Sequence, residues 1–79
     1  MYLLTKSIVI DRGFGFETKT LPHEEEVFEN YQEAQAELDS IIEDHGVVGD
    51  DDREALCVNL FCQDTGTPLE QAFCKKGSL

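Results

Sequence analysis

Thirteen acidic residues and one base, Arg53, lie between Glu24 and Glu54, whereas the other 48 residues of the chain hold four acids and five bases. Within this anionic middle Tyr31, Ala34, Leu38, Ile41, Ile42 and His45 recur at helical spacing. Asn30 is a cap residue, Glu33 three positions on completes a capping box, and Gly46 closes the segment. The pattern predicts a helix over Tyr31 to His45, about 15 residues and therefore about 22 Å long.

The segments on either side read as strands. Tyr2 to Ile10 is rich in aliphatic and β-branched residues, with Tyr2, Leu4, Ile8 and Ile10 on one face at period two. Asp11-Arg12-Gly13 supplies turn chemistry, and Phe14 to Thr20 alternates again, which predicts a β-hairpin. Leu21-Pro22 breaks the second strand, and His23 to Glu29 is expected to be an acidic lead into the helix. Gly46 to Asp52 reads as a loop, and Ala55 to Gln63 as a strand with Leu56, Val58 and Leu60 inward. The tail is open to two readings. Asp64-Thr65-Gly66 is a good hairpin turn, making Leu69 to Lys75 a strand; Thr67-Pro68-Leu69-Glu70 is also a capping box, with Leu69, Ala72 and Phe73 at helical spacing.

Together these elements predict a single α+β domain over residues 1–79. An antiparallel sheet of three to four strands carries one main helix on one face, in the order β-β-α-β followed by a strand or short helix. A chain of 79 residues buries about 60 to 65 per cent of the surface its unfolded form exposes, which leaves little room for an elaborate active site. At 41 per cent apolar it can still form a core. No run of about 18 apolar residues is present, and MYLLTKSIVI lacks the basic start and cleavage site of a signal peptide. Three cysteines, an odd number, fit free thiols in a reducing compartment. A cytoplasmic protein with no membrane contact is expected.

Several short motifs invite chemistry. Arg12 to Phe16, RGFGF, matches five of the eight positions of the RNA-stacking motif of the RNA recognition motif family, but Glu17 stands at its aliphatic position and Lys19 at its last aromatic one. A net charge of −11 repels a phosphate backbone. No direct nucleic-acid contact is expected, and Phe14 and Phe16, two residues apart, are expected to point into the core. Asp64-Thr65-Gly66 is the aspartic-protease triplet, but one copy supplies one carboxylate, and Gln63 and Thr67 depart from its usual flanks. Cys57, Cys62 and Cys74 with His45 do not have the close pairs of a zinc knuckle. His23 and His45 sit beside carboxylates, which favour the thiol over the thiolate a cysteine nucleophile needs. Asp50-Asp51-Asp52 lacks the alternating acids of a helix-loop-helix calcium loop. No catalytic residue, metal ligand or cofactor is assigned.

The acidic helix is the remaining feature. Glu33, Glu37, Asp39, Glu43 and Asp44 occur there without a Lys or Arg. Glu33 with Glu37 and Asp39 with Glu43 are like-charge pairs costing about 0.2 to 0.5 kcal/mol each, and Glu43 and Asp44 stand at the negative end of the macrodipole. The pattern works against helix stability, so these five residues and Asp50, Asp51 and Asp52 are the candidate partner-binding set, matched to a basic surface on another protein. A small, strongly acidic strand-and-helix domain without a catalytic constellation resembles the phage-encoded host-defence inhibitors, among them anti-CRISPR proteins and DNA mimics. The likeness covers the whole chain and lies in size, charge and layout. It implies a non-enzymatic inhibitor acting in the host cytoplasm on a nuclease or other nucleic-acid-binding complex. The alternative is a homo-oligomeric or adaptor domain, a homodimer included, that uses an apolar strand or helix surface and carries its acids for solubility.

Overall fold

The structure, a computed structural model, describes residues 1–77. In chain order it contains β1 (Tyr2–Asp11), β2 (Phe16–Thr20), a 3₁₀ turn (Pro22–Glu24), β3 (Glu26–Phe28), α1 (Tyr31–His45), β4 (Glu54–Cys62) and β5 (Thr67–Lys75). The strands form one antiparallel sheet in the order β2-β1-β4-β5, with β3 also beside β1. The described residues are therefore α+β, with one α-helix and five strands where three to four were expected.

The extra strand comes from the acidic lead. Val27 pairs with Leu3, Phe28 with Tyr2 and Glu26 with Leu4, so His23 to Glu29 is not simply a linker. β2 pairs with Ser7 to Asp11 and β3 with Tyr2 to Leu4, so the two short strands divide one edge of β1 between them. Pro22 starts the 3₁₀ turn that separates them, and its missing N–H interrupts the ladder there. The Leu21 N–H still reaches the Lys6 carbonyl at 3.0 Å.

The tail is a strand. Gly66, at φ +72°, makes the turn after β4, and its N–H reaches the Cys62 carbonyl at 2.7 Å. Turn geometry thereby overrides the helical spacing of Leu69, Ala72 and Phe73. The register slips between Leu60, opposite Glu70, and Phe61, opposite Pro68. This bulge leaves Leu69 as the additional residue, and Pro68 is tolerated because β5 is an edge strand.

Pleating places alternate side chains on opposite faces. Leu4 on β1, Leu56, Val58 and Leu60 on β4 and Cys74 on β5 are fully buried, and Ala34, Leu38 and Ile41 of α1 complete the core with them. Each fully buried Leu or Val contributes about 1.5 to 3 kcal/mol through burial. Tyr2 and Tyr31 meet edge to face at 5.5 Å where the helix enters this layer. Asn30 caps α1 by accepting from the Gln32 N–H at 2.8 Å, one residue short of the Glu33 N–H, so the reciprocal box expected with Glu33 does not form among the described residues. Gly46, at φ +85°, ends it by donating to the Ile42 carbonyl at 2.8 Å.

Phe14 and Phe16 are not in the core. Phe14 is 95% exposed and Phe16 77%. The Arg12 N–H reaches the Gly15 carbonyl, so Phe14 is carried at the tip of the turn, beyond the last ladder pair of Asp11 with Phe16. Phe16 shares the face of Asp11, which has the parity opposite to Leu4 and Ile8. RGFGF is the end of a hairpin, tied by the Asp11 carboxylate to the Gly13 N–H at 2.8 Å and by Arg12 to Glu17.

These positions separate in stability. Leu60→Ala is expected to lower unfolding free energy by about 2 to 5 kcal/mol, and Phe14→Ser to leave it within about 0.5 kcal/mol of the parent. Urea titration followed by circular dichroism measures both, and a large loss from Phe14→Ser would contradict the exposed hairpin tip.

Candidate functional site

The side of α1 away from the sheet follows from the stripe that packs on it. At about 100° per residue, Glu33, Glu37 and Asp44 fall within roughly 40° of one another along one flank of the helix. Asp39 and Glu43 lie along the other flank, with Ala36 and Ser40 on the crest between. Glu37 is half-buried and the other four are exposed. The five form two parallel acidic rows, four of them exposed and Glu37 at the margin of the packed stripe.

These carboxylates lack counter-ions. Among the described residues the ion pairs are Lys6 with Glu24 at 3.4 Å, Arg12 with Glu17, Lys76 with Glu54 at 2.8 Å, and the amino terminus with Asp64 at 3.2 Å. Each lies off the helix. Lys6 and Arg12 are bound to acids elsewhere, and Lys75, whose N–H meets the carbonyl of Gly46 at the end of α1 at 2.9 Å, forms no ion pair with the helix acids among the described residues.

The loop aspartates have a different setting. Asp52 accepts from the Gly49 N–H at 2.7 Å, which folds Gly49 to Asp52 into a closed turn. Asp51 and Asp52 line a shallow depression of about 470 Å³ together with Arg53, Glu54, Lys75 and Lys76. Asp50 is exposed in the same turn. Of the eight residues proposed from sequence, five thus form an anionic face without cations, and three lie in or beside a region of mixed charge. The Lys76 ammonium holds the Glu54 carboxyl below its ordinary range, first through their hydrogen bond and then through charge.

The thiols are divided by strand parity. Cys57 pairs with Phe73 on the outer face of the sheet, whereas Cys74 pairs with Leu56 on the helix face and Cys62 shares that parity. No group of three His, Cys, Asp or Glu residues among the described residues is placed to hold a metal ion. The Thr65 hydroxyl and then its backbone N–H hold the Cys62 thiol below its ordinary pKa, while burial pushes Cys74 up. Asp64-Thr65-Gly66 is an exposed hairpin turn.

Two features escaped sequence reasoning. Glu70, opposite Leu60, turns toward α1, where one oxygen accepts from Gln35 Nε2 at 3.3 Å and the other is buried without a partner among the described residues. Burial and then the Glu70 carboxylate push the Tyr31 phenol up. Period two over Thr67 to Lys75 would have placed Glu70 there, but only once the tail was known to be a strand. The second feature is the outer face of the sheet, which α1 leaves uncovered.

Comparison with protein-family models, curated proteins and solved structures found no match to this chain.

Thiol chemistry tests the placement of the three cysteines. A disulfide reagent added to native protein is expected to modify Cys62 rapidly and the buried Cys57 and Cys74 only on unfolding. Because the Cys62 pKa is lowered, its thiolate forms at lower pH than in an ordinary cysteine, and Thr65→Ala should move the rate profile to higher pH. Simultaneous reaction of all three would contradict the close pairing of β4 with β5.

Proposed function

We propose that this protein is a non-enzymatic binding protein of the inhibitor type, whose outer α1 face engages a basic, nucleic-acid-binding surface of a partner protein. The observation that carries this reading is the set of five helix carboxylates, none of which forms an ion pair among the described residues. Binding Lys and Arg side chains there relieves repulsion already present in the free protein. Such a surface also attracts its partner over distance, so association is fast and falls with ionic strength.

Charge spacing refines the type of partner. Five carboxylates along about 22 Å of helix amount to one per 4 to 5 Å, against one per 1.7 Å of duplex axis and one per 3.4 Å of a single strand. The density lies nearer to one nucleic-acid strand than to a duplex. A groove of Lys and Arg that tracks one strand therefore suits this helix better than one that clamps a double helix. Asp50, Asp51 and Asp52 would add to the contact at its C-terminal end, with their charge moderated by Arg53, Lys75 and Lys76.

Stability and binding should respond in opposite directions. Glu43→Lys turns the Asp39 pair into an attraction and places a cation at the negative end of the helix, a gain of about 0.5 to 1 kcal/mol. Denaturant titration should register that gain while partner affinity falls. A role in solubility alone requires no fall.

Capture from a host lysate on immobilised protein supplies the binding measurement. A specific partner should be retained at about 0.05 M salt, released at about 0.5 M salt, and displaced by competing nucleic acid. Reversing Glu33, Glu37 and Asp44 to Lys should abolish retention with the circular dichroism unchanged. Retention by the reversed protein would reject the acidic-face assignment.

A further inference from the structure

The outer face of the sheet is uncharged, in a chain with a net charge of −11. Leu3 to Val9 on β1, Ala55 to Phe61 on β4, and Gln71 and Phe73 on β5 present only neutral side chains at the positions with this parity. Thr18, Thr20 and Val27 extend the same neutrality onto β2 and β3. Asp11 and Lys75 bound it at one end, that of Ile10 and Glu54. Across the opposite end, that of Tyr2 and Cys62, runs an apolar band of Val27, Leu3, Phe61 and Pro68, and Phe73, 49% exposed beside Cys57, lies beyond the neutral row of Thr5, Asn59 and Gln71. Antiparallel sheets with one solvated face ordinarily alternate apolar inside with polar, often charged, outside. Here the charges have been left off the outside.

We propose that this face docks a second copy of the chain, sheet against sheet, to give a two-fold symmetric dimer with the two α1 helices on opposite exteriors. Charge selects the occupant. Two chains of −11 repel each other over most of their surfaces, and they can approach closely only where both are free of carboxylates. A two-fold contact uses the same patch on both partners, so an uncharged patch meets its own neutral copy. A basic partner, in contrast, finds nothing on this face to pair with and is drawn to α1.

Size is consistent with a specific contact. Four strands at about 4.8 Å and seven to nine residues at about 3.3 Å cover roughly 450 to 550 Å² in projection. Two copies then bury about 1,000 Å² in total, at the threshold for a specific interface, which predicts a reversible dimer. Sheets stacked about 10 Å apart would interdigitate Leu3, Phe61 and Phe73 with their counterparts. Thr5, Ser7, Asn59 and Gln71 would supply uncharged hydrogen-bonding groups around them.

This goes beyond the binding reading above and uses the opposite side of the molecule, so the two respond differently to salt and to mutation. The test is sedimentation equilibrium of the full chain from about 1 to 500 μM at about 0.05 and 0.5 M salt. The expected mass rises toward twice 8.9 kDa with concentration, and the dimer tightens at the higher salt as repulsion is screened. Phe73→Glu should weaken it at least about tenfold. Gln71→Lys, at an exposed position of the same face, should do likewise without touching the core, which keeps the test sound if Phe73→Glu unfolds. Glu37→Lys, on α1, should not weaken it. A mass of 8.9 kDa at every concentration, a dimer that survives in either folded sheet-face variant, or one lost in Glu37→Lys would overturn the proposal. Failure of the unaltered, dimeric protein to capture a salt-sensitive partner would count against the acidic face alone.

Discussion

Inside and outside in this molecule are decided by the contact between one stripe of α1 and one side of the sheet. Ala34, Leu38 and Ile41 sit on Leu4, Leu56, Val58, Leu60 and Cys74, and the pleat then commits every alternate residue of β1, β4 and β5 to the opposite side. A slip of one residue in any of these strands would exchange buried and exposed side chains, so the apolar pattern and the register enforce each other. Lys6 and Glu70 are the charged residues of β1 and β5 that share the helix side. Lys6 reaches out to Glu24, whereas Glu70 stays between β5 and α1 beside Gln35 and Tyr31.

The same contact sorts the charge. Because α1 has one apolar stripe, the five acids its sequence carries fall outside it, and none of them forms an ion pair among the described residues. Lys6 and Arg12 are engaged at the hairpin side of the sheet and Lys76 at the start of β4. The domain therefore presents an anionic helix on one side and a neutral sheet on the other. Its shortest extent is 20 Å, more than twice the Debye length of about 8 Å at physiological salt. Charges bound at α1 are thus largely screened from the outer sheet face, and events on the two sides are electrostatically almost independent.

Thiols and turns fit the same frame. Cys57 is buried on the outer face by Phe73, Asn59 and Gln71, with both amides within 3.5 Å of its sulfur. Cys74 is sealed under the helix, and Cys62 stands beside Thr65 at the β4–β5 turn. Triplets that read as chemistry in isolation, RGFGF and Asp64-Thr65-Gly66, are both hairpin ends, where glycine supplies positive φ at Gly13 and Gly66.

Local signals were enough to locate α1 with its end residues Asn30 and Gly46, the two long strands to within a residue (Tyr2 to Ile10 and Ala55 to Gln63, against Tyr2–Asp11 and Glu54–Cys62), the inward residues of β4, and the concentration of carboxylates on the helix. Each of these rests on periodicity or on a turn residue within a few positions, so nearby sequence suffices to specify it. Tertiary structure decided the rest. Glu26 to Phe28 became a strand because β1 had an unpaired edge left beyond β2, and the tail became a strand because β4 offered it a ladder. Phe14 and Phe16 were left in solvent because a period of two says that side chains alternate, not which alternation a distant helix will cover. Whether the acids of Asp50 to Asp52 stand alone or beside Lys75 and Lys76 likewise depends on strands brought together across the fold. Local pattern sets what each segment can be; long-range pairing and the side the helix chooses to cover set what each residue faces.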